Sequence, residues 1–83
     1  MKLREKDLVL REIDGETVVL DLVSSTYFAS NRAGTFLLAL LRTDRDRESL
    51  ICELAREFEL SIDEATADTD AFLALLDEQG MLV

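Results

Sequence analysis

Few side chains in this sequence could carry out covalent or acid–base chemistry. Of the 83 residues one is a cysteine, Cys52, and none is a histidine. Without an imidazole there is no ready general base, nucleophile partner or nitrogen ligand for a metal. A single thiol also excludes an internal disulfide and a cysteine-built metal site. Cys52 falls beside the apolar stripe of a predicted helix, where a thiol is expected to act as a small hydrophobe. Carboxylates are abundant, but the closest sets, Asp44/Asp46 and Asp63/Glu64, read as turn and helix-cap residues. The run Asp44-Arg45-Asp46-Arg47-Glu48 looks like a solvated segment of alternating sign, without the central glycine of a calcium loop. Three glycines leave no phosphate-cradling loop. The expectation is a protein that binds something, with no catalytic residue, cofactor or metal.

Main-chain groups are then the chemistry to look for, and the stretch from Thr26 to Leu41 offers them. Thr26, Tyr27 and Phe28 suit a pleated surface, and Asn31 is a good N-cap for a helix. Ala33, Phe36, Leu37, Leu40 and Leu41 then recur at i, i+3, i+4, i+7 and i+8, one helical stripe. Alternating strands precede this junction and helical periods follow it, which predicts a single α+β domain over residues 1–83. Leu8 to Ile13 and Glu16 to Leu22 read as two strands joined at Asp14-Gly15, a type I′ hairpin signal. That turn places Ile13, Arg11 and Val9 opposite Glu16, Val18 and Leu20 on one face. Glu12, Leu10 and Leu8 oppose Thr17, Val19 and Asp21 on the other. Neither face is cleanly apolar, so either both are partly covered or the register is shifted by one. Ser24-Ser25 turns the chain into a third antiparallel strand over Thr26 to Ala29. This edge has no proline or lysine to discourage pairing. It is either too short to matter or a docking rail for an extended peptide.

A second helix is predicted over Arg47 to Phe58, capped by Asp46, with Leu50, Ile51, Leu54, Ala55 and Phe58 as its buried stripe. The third begins with the capping box Ser61-Ile62-Asp63-Glu64, whose acids also complement the helix dipole. Gly80 stops it, and Met81-Leu82-Val83 can fold back on the core. Ile62, Ala65, Thr69, Phe72, Leu73 and Leu76 share the face expected to be core. Ala71 and Leu75 lie off one flank beside Asp68, whereas the other flank, with Thr66, Asp70 and Asp77, is expected to be solvated. The one-sided apolar flank is covered by sheet or tail, or it floors a groove beside the third strand.

Nine basic and eighteen acidic residues give a net charge of −9. That balance repels nucleic acid, whose partners neutralise phosphates with a basic face, and so weighs against a DNA-binding reading. It is consistent with solubility alone, or with steering of a basic or neutral peptide. No apolar run approaches the roughly 18 residues of a membrane span, and the N-terminus lacks the apolar core of a secretion signal. The expected setting is cytoplasmic, without a membrane partner.

The order of three strands and three helices, with Tyr27-Phe28 and Asn31 at the junction and Gly34 in the first helical turn, resembles the PqqD-like family. These are the peptide-recognition domains of pathways that modify ribosomally made peptides. The closing segments Phe72-Leu73-Ala74-Leu75-Leu76 and Gly80-Met81-Leu82-Val83 extend the resemblance over almost the whole chain. Ser30 departs from the family's usual leucine, and Thr43-Asp44 from a frequent Asp-Gly. A free-standing, acidic chain of this length is most similar to the leader-binding proteins of lasso peptide pathways, with PqqD-type chaperones of cofactor biosynthesis as near neighbours. The resemblance implies a winged helix-turn-helix fold turned from DNA to peptide binding. The leader of a precursor peptide would add as a strand along Thr26, Tyr27, Phe28 and Ala29. Asp68, Ala71, Phe72 and Leu75 would form the helix wall, with Glu64 and Asp68 favouring a leader that carries Lys or Arg. The implied partners are that leader and a leader peptidase or cyclase, the protein itself being a monomer or weak dimer. A general protein-interaction winged helix is the remaining alternative.

Overall fold

The computed structural model describes all 83 residues. Strands β1 (Leu8–Ile13), β2 (Glu16–Asp21) and β3 (Thr26–Ser30) precede helices α1 (Arg32–Leu40), α2 (Arg47–Phe58) and α3 (Ile62–Glu78). The sheet is antiparallel in the order β1-β2-β3, leaving β1 and β3 as its two edges. Asp14 (φ 54°) and Gly15 (φ 82°) both take the left-handed conformation of a type I′ turn. The register is the one that turn dictates, with Leu8 opposite Asp21 and Ile13 opposite Glu16.

The mixed polarity of the strands has a local explanation. Their inner face packs Leu8, Leu10, Val19 and Phe28 against the helices and also buries Thr17, Asp21 and Ser30. Each of these three buried polar side chains has a partner. Thr17 Oγ1 donates to Thr35 Oγ1 at 2.8 Å, and Ser30 Oγ donates to the Thr17 carbonyl at 3.4 Å. Asp21 Oδ1 accepts from Arg4 Nη2 at 2.8 Å and from the Val23 N–H at 3.0 Å. Burial pushes the Asp21 carboxyl up, but the Val23 and Arg4 hydrogen bonds outweigh it and hold the group below the usual carboxylate range. The outer face carries Val9, Ile13, Leu20 and Tyr27 and is open to solvent.

All three helices begin at their expected caps. Asn31, Asp46 and Ser61 accept from the N–H groups of Gly34, Ser49 and Glu64, and Ser61 and Glu64 form the full capping box. Such caps each stabilise a helix by about 1 kcal/mol. Leu37, Leu41, Leu50, Leu54, Leu76 and Met81 are almost fully buried in one core, each contributing about 1.5–3 kcal/mol by leaving water. Leu38 joins them although it lies off the expected stripe, because α1 is packed between β2, β3 and α2.

Two expectations fail at helix surfaces. Ile62 is exposed, since the Cα–Cβ bond at the first position of α3 tilts back past the helix end, where nothing covers it. Cys52 is exposed on α2, outside the buried face of Leu50, Ile51 and Leu54. Asp70 is exposed, as its flank was expected to be, and Arg47 donates to both its oxygens, at 2.6 and 2.7 Å, tying α2 to α3. Those bonds hold the Asp70 carboxyl below its ordinary range.

The chain ends form a clasp. Leu3 bridges Leu82 in antiparallel fashion, Lys2 and Val83 exchange main-chain hydrogen bonds at 3.0 and 2.8 Å, and Leu3 N–H donates to the Leu41 carbonyl. Arg4 fastens the clasp to the sheet, donating to the carbonyls of Gly80 and Lys6 as well as to Asp21.

Candidate peptide-docking groove

β3 pairs only with β2, so the N–H and C=O groups of alternate β3 residues face outward without a sheet partner. Phe28 pairs with Val19 on the inner face and is half-buried against the core, whereas Tyr27 pairs with Leu20 on the outer face and is 74% exposed. Thr26 and Ala29 are exposed along the same edge.

β3 runs directly into the start of α1, where the backbone of Gly34 is closely approached. A Cβ there would lie 2.8 Å from Ser30 Cβ and 2.9 Å from Phe72 Cε1. The missing side chain lets the Phe72 ring of α3 rest against the β3–α1 junction. Beside this contact is a hollow of about 300 Å³. Asn31, Ala33, Gly34 and Leu37 of the junction and α1 line one side, with Asp68, Ala71, Phe72 and Leu75 of α3 opposite. A second hollow, of about 380 Å³, shares Asn31 and includes Ala29 and Ser30. The end of β3 thus connects two depressions.

The four α3 residues inferred from the family resemblance, Asp68, Ala71, Phe72 and Leu75, are gathered in one place. Thr26, Tyr27 and Phe28 line neither hollow; they form the strand edge leading up to them. Glu64 is set apart, its Oε1 accepting from Ser61 N–H at 3.3 Å and from Ser61 Oγ at 3.0 Å in the capping box. The α1 contribution, Ala33, Gly34 and Leu37, was not among the expected site residues. Its available signal was the small pair Ala33-Gly34 following an N-cap, a pattern that lets another element approach the helix start. Asp68 is the only charged residue lining the first hollow. No group of three or more His, Cys, Asp or Glu side chains is arranged to hold a metal ion, and no helix is long and apolar enough to cross a membrane.

The fold is a winged helix-turn-helix whose accessible feature is a strand edge with a helix alongside. A family model described as coenzyme PQQ synthesis protein D (PqqD) matches residues 16–82, and the chain belongs to that family. Among solved structures, it is similar to TbiB1 in complex with the TbiA(beta) leader peptide. The TM-score is 0.85 and the identity 27%, over 99% of this chain and 94% of that one. It is also similar to a lasso peptide synthetase B1 complexed with the leader peptide, with a TM-score of 0.80 and 25% identity over 96% and 93% of the two chains. No curated protein matches the sequence significantly.

Proposed function

We propose that this protein binds the leader segment of a ribosomally made precursor peptide and presents it to a leader peptidase or cyclase, without itself catalysing a reaction. The observation that carries this reading is the open β3 edge running into the Gly34–Phe72 hollow, in a chain that resembles two leader-bound proteins over nearly its full length. The leader would add antiparallel or parallel to Thr26–Ala29 through main-chain hydrogen bonds. Alternate side chains would then turn toward α3, where Ala33, Ala71 and Leu75 accept an apolar group. Those on the other side would extend the outer sheet face of Val9, Leu20 and Tyr27, a composite surface for the processing enzyme.

The test is an amide NMR titration of labelled protein with the leader of a precursor encoded beside its gene. Saturable shifts are expected over Thr26–Ser30, Ala33–Leu37 and Asp68–Leu75. Ala71→Glu should weaken binding at least tenfold while leaving the rest of the spectrum unchanged, because Ala71 is exposed. Shifts confined to other faces would move the site, and their absence in folded protein would remove the function. The description of the family model favours a second reading, the peptide of coenzyme PQQ synthesis as cargo. Titrating that peptide in parallel decides between the two.

A further inference from the structure

The opposite edge of the sheet borders a groove of a different character. It holds about 430 Å³ between β1, α1 and α2. Leu10 and Leu38 contribute to its apolar lining, with Phe36 and Phe58, whose rings meet edge to face at 5.8 Å. α1 contributes Arg32, Thr35, Phe36 and Ala39 from one helical face, and the turn after it contributes Arg42. Arg32 opens α1 and Arg42 follows its C-cap Leu41, so the two are ten residues apart, roughly 15 Å at helical rise.

Both arginines are free. Among the nine basic residues, Lys2, Arg4, Arg47 and Arg56 form ion pairs, and Arg45 donates to the hydroxyls of Thr43 and Ser49. Lys6, Arg11, Arg32 and Arg42 have no such partner despite a twofold excess of carboxylates in the chain, and of these four only Arg32 and Arg42 line this groove. Glu12 and Glu57, which line the same groove from β1 and α2, do not pair with them. Arg32 is held in position: its Cγ, Nε and Cζ lie 3.5–3.6 Å from where a Cβ on Gly15 would be, against the hairpin turn. It also occupies the first position of α1, where a cation opposes the helix dipole, and α1 alone of the three helices has no acid in its first turn.

We propose that this groove is a second docking site, taking an extended protein segment with a large apolar side chain flanked two residues away on each side by carboxylates. In a strand at about 3.3 Å per residue, positions i and i+4 lie roughly 13 Å apart and share a face with i+2. That spacing fits two carboxylates to Arg32 and Arg42 and sets the apolar group over Phe36 and Phe58. β1 has no outer strand partner, so its edge is open to main-chain pairing with the segment. The site is separate from the β3 groove, and neither reading depends on the other.

The probe is acetyl-Ser-Glu-Thr-Leu-Thr-Glu-Ser-amide, titrated into labelled protein beside its counterpart with lysine for glutamate. Saturable shifts at Leu10, Arg32, Phe36, Arg42 and Phe58 are expected with the acidic peptide only. Arg32→Glu combined with Arg42→Glu should weaken it at least tenfold and leave leader binding at β3 unchanged. Both residues are exposed, and an acid at position 32 suits the helix start, so the variant should fold. Equal binding of the lysine peptide, indifference to the double variant, or shifts only at β3 and α3 would overturn the proposal. So would groove shifts that follow protein concentration without peptide, which would assign the face to a second copy.

Discussion

The two edges of one small sheet have been given opposite chemistry. Beside β3, small residues and one aromatic ring surround a hollow whose only charge is Asp68; beside β1, an aromatic pair lies between two unpaired arginines, with Glu12 and Glu57 also in the lining. Both edges share the same three strands, and α1 borders both grooves. The difference arises from which face of α1 is presented: Ala33, Gly34 and Leu37 on one side, Arg32 and Phe36 on the other, with Arg42 added by the turn that follows. On the two proposals, the nine-residue α1 borders both sites with different faces, and neither relies on the other's side chains.

The largest effect expected from breaking this separation is at Gly34. Gly34→Val places atoms where Ser30 Cβ and Phe72 Cε1 already lie within 3 Å of a Cβ. Overpacking of this kind costs about 1–3 kcal/mol, measurable by urea unfolding. Leader binding should fall more than tenfold while the acidic probe still binds beside β1. Loss of both would show that the grooves are coupled through the bundle.

An intermediate effect is expected in acid. Asp21 has a folded-state pKa below its unfolded value, so it adds stability above the ordinary carboxylate range of about 4, and that stability is lost as pH falls through the lower, folded value. Asp44, lowered by its hydrogen bond and attraction to the Met1 ammonium, and Asp70 act in the same direction. Protonating Asp21 weakens the Arg4 tie between the sheet and the N-terminal clasp, which lies on the β1 side of the fold. Amide exchange at Leu3, Arg4 and Leu8 should rise below about pH 4 before that of Ser30 and Gly34, and Arg4→Met should remove the difference. Uniform loosening would mean that the two edges are equally anchored.

The smallest effect concerns Asp68. Asp68→Asn should weaken a leader carrying Lys or Arg by about 0.2–1 kcal/mol, at most about fivefold, as for an exposed ion pair. The penalty should vanish near 0.5 M salt, where screening acts over only about 4 Å. A salt-independent loss would reassign Asp68 to hydrogen bonding.

Much of this architecture is legible in the chain itself because its punctuation is local. Asp14-Gly15 fixes a hairpin, and Asn31, Asp46 and Ser61 start helices through bonds to residues three positions on. What escaped depends on partners distant in sequence. Thr17 and Asp21 look misplaced in a strand until Thr35 and Arg4 arrive to satisfy them. Leu3 has no periodic neighbours and is buried only because Leu82 and Leu41 come to it. The α3 wall of the docking groove was reached through family resemblance, whereas its α1 wall resembles ordinary core. Arg32 and Arg42 read as unrelated surface residues until α1 and the turn after it bring them to one groove.

The clasp between Lys2 and Val83 has a topological consequence. Entry and exit of the chain are neighbours, so the domain is nearly a closed loop. It could be spliced into a surface turn of a host protein as one insertion, or cut open elsewhere and rejoined by a short linker, with little change in the path of the intervening backbone. A domain of this shape is portable in a way that one with ends on opposite poles is not.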